Sequence, residues 1–205
     1  MKHLVLCLAL VLAAAFPAGA RAAVGEHIAD IQKAEDYLRG LKTAKADFIL
    51  KDSNGTRLTG VFSLSRPGRL RFDYNEVKDY IVADGFFIYF YDSQMNEQTN
   101  APVGTTLADF LLRDNLRLSG DVTVTDVTKR NGMTAITLVQ AKEPGAGSLQ
   151  LFFSDVPFQL VRWIVRDSVG GVTEILLKNM QRGVKFPAGT FAYVNPTHGR
   201  GGQYN

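Results

Sequence analysis

Few residues in this chain are placed to do chemistry. Catalysis needs titratable groups that converge, and the three histidines are scattered: His3 lies in an apolar N-terminal stretch, His27 opens an amphipathic segment and His198 stands in a Gly-rich tail. None has a partner at metal-ligand spacing. Asp84 and Asp92 come nearest to a carboxylate pair, but each stands in a turn signal where Asp serves the backbone. There is no phosphate-cradling glycine loop ending in Lys-Ser or Lys-Thr and no Gly-x-Ser-x-Gly elbow. Asn54-Gly55-Thr56 has the form of a glycosylation acceptor, and a hairpin turn accounts for the same residues. The sequence therefore points away from an enzyme, and no catalytic residue, metal ligand or cofactor is assigned.

Arg66 is the charge that needs explaining. Leu58, Phe62 and Leu64 fall on one face of a strand, because side chains two apart point the same way, and Arg66 shares their parity. A guanidinium thus continues an apolar row immediately before Pro67-Gly68, a turn that stops ladder pairing. Two readings are open. The register breaks at the turn and Arg66 points to solvent, or Arg66 sits at the rim of an apolar cavity where its five donors hold a movable covering element.

The elements that would position it are mostly strands. Glu26 to Thr43 carries Ile28, Ile31, Ala34, Leu38 and Leu41 at spacings of three and four, which predicts an amphipathic helix. Ala46 to Lys51 is a strand with Ala46, Phe48 and Leu50 on one face, followed by the hairpin signal Asp52-Ser53-Asn54-Gly55. Leu70, Phe72 and Tyr74 alternate with Arg69, Arg71 and Asp73; Tyr80 to Val82 and Phe86 to Tyr91 flank the Asp84-Gly85 turn; Met95 to Thr99 is one more strand. Phe86 to Tyr91 is apolar on both faces, so something is expected to cover its second side. Thr105 to Leu112 breaks the rhythm with a capping-box-like Thr106 and Asp109 and an apolar face of Leu107, Phe110 and Leu111, which predicts a short helix. Strands then resume at Val122–Lys129, Met133–Lys142, Ser148–Ser154, Leu160–Asp167 and Val172–Met180, with Val161, Trp163 and Val165 read as one face. About ten strands and about two helices leave too much apolar sheet for a flat arrangement, so a curled sheet or open barrel is expected, with the helices across its concave side or mouth.

Residues 1–22 read as a secretory signal peptide: Lys2, an apolar core from Leu4 to Phe16 that is too short to span a bilayer, and Ala20-Arg21-Ala22 at the cleavage point. Cys7 leaves with it, so neither disulfide nor thiol chemistry is expected afterwards. The chain has 23 Lys and Arg against 20 Asp and Glu; without Lys2 and Arg21 its net charge is +1. A nucleic-acid partner is not expected. A single domain is expected over residues 23–197, with residues 198–205 a flexible tail.

Taken in order, Phe48, Gly60, Phe62, Arg66-Pro67-Gly68-Arg69-Leu70-Arg71-Phe72, Tyr74, Asp84-Gly85, the aromatic run to Tyr91-Asp92 and Gln98-Thr99 resemble the LolA family of periplasmic outer-membrane lipoprotein carriers. The likeness continues more loosely through Ser148 to Asp155, Asp167 with Gly170, Leu176 and Asn179, to Phe191. The resemblance implies an incomplete antiparallel barrel of about ten to eleven strands with a helical lid over a hydrophobic cavity. It also implies that Arg66 hydrogen-bonds to lid backbone and closes the empty cavity. Phe48, Phe62, Leu64, Leu70, Phe72, Ile88 and Phe90 are then expected to line the cavity, with Leu38, Leu41, Leu107 and Phe110 on the lid side.

The implied partners are acylated lipoproteins, an inner-membrane ABC-type lipoprotein-releasing complex and an outer-membrane acceptor or receptor, with the carrier a periplasmic monomer. A carrier of free lipid and a lipoprotein sensor of the same fold are the alternatives. This sequence departs from the family where Phe86 takes a usually polar position and where the aromatic run lacks a Trp. The chain ends soon after Phe191 and Pro196, so the extra C-terminal segment of some members, implicated in passing cargo onward, is expected to be missing.

Overall fold

The structure is a computed structural model and describes residues 24–104, 107 and 109–194. The leader, the residues 105, 106 and 108 of the expected short helix, Pro196 and the tail lie outside the described residues. Helix α1 spans Ile28–Gly40. Six strands follow: β1 Thr43–Asp52, β2 Arg57–Ser65, β3 Arg69–Tyr74, β4 Tyr80–Asp84, β5 Phe87–Asp92 and β6 Glu97–Pro102. After a long connection come β7 Val122–Arg130, β8 Met133–Gln140, β9 Gly147–Asp155, β10 Phe158–Asp167 and β11 Val172–Arg182.

All eleven form one antiparallel sheet in the order β6-β5-β4-β3-β2-β1-β11-β10-β9-β8-β7. Two meanders are thus joined through β1 and β11, where Phe48 pairs with Leu177 and Leu50 with Ile175. β6 and β7 are the edges, and no ladder joins them, so the barrel stays open. The connection between β6 and β7 has to travel from one edge to the other. It does so with Phe110, Leu111, Leu112, Leu116 and Leu118 buried, which makes it a second cover beside α1.

Pairing register lays the inward side chains out in rows. One row runs Ala44, Leu64, Leu70, Ala83, Ile88 and Ala101; the next runs Ala46, Phe62, Phe72, Ile81, Phe90 and Thr99. A third runs Phe48, Gly60 and Tyr74. Glycine is needed there: a Cβ on Gly60 would collide with the Asp73 carbonyl oxygen and lie 2.8 Å from the Phe48 ring. The bare backbone lets Phe48 lean across to Phe72 and Tyr74, with ring centroids 5.0 and 5.4 Å apart.

α1 packs on the other half of the concave face. Ala34, Tyr37 and Leu38 are its buried residues, and Tyr37 sits edge-on to Phe153 and Phe158 at 5.8 and 5.9 Å. Lys129 Nζ donates to Asp30 Oδ1 at 2.7 Å, tying the start of the helix to β7. That bond is the main reason the Asp30 carboxyl is held below the usual carboxylate range.

Several expectations need correction. The helix is shorter than its apolar pattern, because the chain must turn at Leu41 to enter β1. The expected helix over Thr105 to Leu112 is, among the described residues, a single 3₁₀ turn at Phe110–Leu112. Val161 does not share a face with Trp163: a bulge leaves it unpaired between Leu160 and Arg162, so that Leu160 and Trp163, three apart, both point inward. Cover for the second side of β5 reaches only part of it. Residues 184–194 cross the outer face of β1 to β5, Tyr193 stacks on Tyr89 at 4.3 Å, and the Tyr80 hydroxyl donates to the Val194 carbonyl at 2.7 Å. Phe86 stays 78% exposed, because it stands in the β4–β5 turn and not in the strand.

Gly60→Ala is expected to force the Phe48 ring and the β3 backbone apart and to cost about 1–3 kcal/mol, the usual range for overpacking. Urea unfolding of the two proteins measures it, with a lower midpoint at unchanged slope.

Candidate functional site: an apolar cavity and its closing turn

The rows explain where the sheet is filled and where it is not. Nearest β1, Phe62, Leu64 and Phe48 are each 1% exposed and belong to the buried core cluster. Farther along the same rows the interior opens into a cavity of about 410 Å3. Leu70, Phe72, Ile88 and Phe90 line it. Phe48, Phe62 and Leu64 lie behind the wall: the Phe62 ring is 5.1 Å from Phe72 and 5.6 Å from Trp163, with no open space before it.

The opposite wall comes from the second meander through Trp163, Val165, Thr173 and Ile175, and Leu111 and Leu112 close the top. Leu107 and Phe110, expected on the covering side, are buried in the core cluster, and their neighbours Leu111 and Leu112 face the cavity instead. Leu38 and Leu41 are buried in the same cluster and do not line it. The sequence reading missed the second meander's residues because only the β1–β11 pairing brings them opposite Leu70 and Phe72, and that pairing spans most of the chain. Leu50 and Trp163 had carried a usable signal, the parity of Phe48 and the one tryptophan.

At one end of the strands Tyr74, Ile81 and Phe90 line both this cavity and an adjoining hollow of about 320 Å3. Tyr74 is largely buried there. Burial, helped by the nearby Asp79 carboxylate, pushes its phenol up to about 12.

Arg66 lies at the other end of the strands and is only 7% exposed. Its Nη2 donates to the Arg39 carbonyl, in the last turn of α1, at 3.2 Å, and its backbone N–H donates to the Lys42 carbonyl at 2.8 Å. Two residues on, the Gly68 N–H donates to the Leu112 carbonyl at 2.8 Å. One turn, Arg66 to Gly68, thus holds both covers. Gly68 has φ +73°, and a Cβ on it would lie 2.8 Å from Gly85 Cα, so the turn also abuts the β4–β5 turn. Among the described residues Arg66 Nε has no hydrogen-bond partner. Burial lowers the guanidinium's pKa, and the Asp114 carboxylate opposes that shift, so it remains charged.

The match to the family model described as outer membrane lipoprotein carrier protein LolA runs over residues 39–194. The chain belongs to the LolA family. Its relatives include outer-membrane lipoprotein carrier proteins of Dechloromonas aromatica, 27% identical over 83% of this chain and 86% of theirs, and of Methylococcus capsulatus, 29% identical over 79% and 82%. A LolA superfamily protein of Nitrosomonas europaea, of solved structure, superposes with a TM-score of 0.42 at 8% identity, covering 80% of this chain and 97% of its own. The LolA fold here is an open eleven-stranded antiparallel sheet with one α-helix among the described residues. Among those residues no three His, Cys, Asp or Glu side chains gather to hold a metal ion.

The Tyr74 phenol is ordinarily near 10 when unfolded and near 12 here, so its neutral form supports the fold fully below pH 10, and that support is lost as pH rises through 12. Tyr74→Phe removes the titration. Denaturant melts at pH 10 and 12 are expected to show the variant losing about 2–3 kcal/mol less stability between them than the parent.

Proposed function

We propose that this chain is a periplasmic carrier that shields the acyl chains of lipoproteins on their way from the inner to the outer membrane. The observation that carries the reading is an unfilled apolar cavity whose two covers are held by one arginine turn. Residues 1–22 act as the export leader and residues 23–197 as the carrier domain, working as a monomer. An inner-membrane ABC-type complex loads it, and an outer-membrane acceptor unloads it.

The mechanism follows from the energetics of hydrocarbon and of a buried charge. A sixteen-carbon chain is worth on the order of 12 kcal/mol when fully buried. Three such chains fully buried would exceed the ceiling on non-covalent affinity, and release would be too slow for a carrier. A competing closed state solves this by favouring the empty form. Arg66 and Gly68 hold α1 and the Leu112 segment over the cavity. Because, among the described residues, the buried guanidinium makes one side-chain hydrogen bond, the closed state is only modestly favoured and yields to cargo. Release follows when the cover returns and the acceptor offers the chains a drier place.

Depletion in the native cell is expected to strand lipoproteins at the inner membrane; normal sorting after depletion rejects the reading. Arg66→Leu is expected to hold cargo about 10- to 100-fold more tightly, the span of one charge-assisted hydrogen bond, and to slow transfer to acceptor membranes accordingly. Transfer at the parent rate would show that the turn does not act as a latch.

A further inference from the structure

The two ends of the sheet differ in charge. At the end away from Arg66 every connection carries at least one carboxylate, Asp52, Glu76, Asp92, Asp121, Glu143 and Asp167 in chain order, beside the cations Arg57, Lys78 and Lys142. At the Arg66 end the exposed charges that flank the strands are mainly cationic: Lys42, Arg69, Arg130 and Arg182, with Lys185 just beyond β11. The carboxylates at that end are engaged. Asp84 Oδ1 accepts from the Phe86 and Phe87 N–H groups at 2.8 and 2.9 Å, Asp155 accepts from the Thr134 hydroxyl at 2.8 Å, buried Asp109 accepts from the Gly104 N–H at 2.8 Å, and Asp114 acts on Arg66. Among the described residues, Lys42, Arg69 and Lys185 make no ion pair.

Those three cations stand near two phenylalanines that face water. Phe86 is 78% exposed and Phe87 42% exposed. Arg69 is the ladder partner of Asp84, and both line one crevice with Lys185, Thr43 and Ser65. Lys42 accepts the Arg66 N–H, which places it at the neighbouring turn. The β4–β5 turn that presents Phe86 is firmly built: Asp84 holds its two amides, the Phe86 carbonyl accepts the Val103 N–H at 2.9 Å, and Gly85 sits against Gly68. Packing does not account for an aromatic ring kept in water by so well bonded a turn.

An aromatic ring beside cations matches one kind of surface closely. The ring leaves water by entering the boundary beneath a headgroup layer, while the cations gain from phosphates within that layer. A soluble anion would satisfy Arg69 and Lys185 and leave Phe86 in water. We infer that the β4–β5 turn docks this chain on an anionic bilayer, with Phe86 and Phe87 at the headgroup boundary and Lys42, Arg69 and Lys185 meeting lipid phosphates. The bilayer then lies against the turn that holds both covers. The inference goes beyond the carrier reading and needs no bound cargo.

Co-flotation of the purified protein with vesicles tests it. One set is phosphatidylcholine alone; the other contains about one-third phosphatidylglycerol. Binding to the anionic set is expected at about 0.05 M salt, falling steeply by about 0.5 M, with little binding to the neutral set. Arg69→Gln and Lys185→Gln are each expected to weaken it about fivefold and Phe86→Ser about tenfold, while Lys78→Gln, at the opposite end, leaves it unchanged. All four sites are exposed, and unchanged thermal melting shows that a variant is folded. No binding to anionic vesicles, equal binding to neutral ones, indifference to Phe86→Ser, or an equal loss with Lys78→Gln would each overturn the inference. Retention on polyaspartate beads without vesicle binding would assign the surface to an acidic protein and overturn it as well. The carrier reading fails separately: lipoproteins stranded on depletion, together with no vesicle binding, would leave the carrier standing and remove the docking surface.

Discussion

An eleven-stranded antiparallel sheet curled on itself presents more apolar concave surface than one helix can cover. The interior of this chain is arranged around that surplus. α1 covers the half over the second meander, where Tyr37 meets Phe153 and Phe158. The half over β3 to β6 receives only the crossing connection with its 3₁₀ turn, and the shortfall is the cavity. Close packing is the rule in protein interiors, so a sheet that leaves such a gap gives up dispersion contacts along its wall. Hydrocarbon entering from outside would restore them.

The turn from Arg66 to Gly68 is where the two covers meet. It reads α1 through the Arg39 carbonyl and the connection through the Leu112 carbonyl, and it rests against Gly85. The turn and the hollow shared by Tyr74 and Phe90 are at opposite ends of the strands. Lifting the cover therefore breaks the Arg66 and Gly68 bonds at the end of the strands remote from Tyr74 and Phe90. A buried side chain with one hydrogen bond among the described residues is suited to that task, because its buried charge limits how deep the closed state can be.

Strand alternation made most of this architecture legible. Phe48 with Leu50, Phe62 with Leu64, and Leu70 with Phe72 all point inward as their parity requires. Three things were not legible, each for a physical reason. Which inward residues face open space depends on distance from the helix along a pairing row, so Phe62 and Phe72, directly opposite one another, end up in packed core and cavity wall. The bulge at Val161 inverts a parity that local sequence predicts. The second wall requires β11 to return beside β1, a pairing that no short-range pattern encodes.

The Gly68 amide tests the account most directly, since it bonds to the Leu112 carbonyl only while the cover is down. Its hydrogen exchange, followed by NMR in the empty protein and in the protein saturated with a triacylated lipopeptide, is expected to be slow when empty and to approach the rate of an exposed turn when loaded. Equal protection in both states, with the lipopeptide demonstrably bound, would contradict the claim that this turn holds the cavity shut and that cargo opens it.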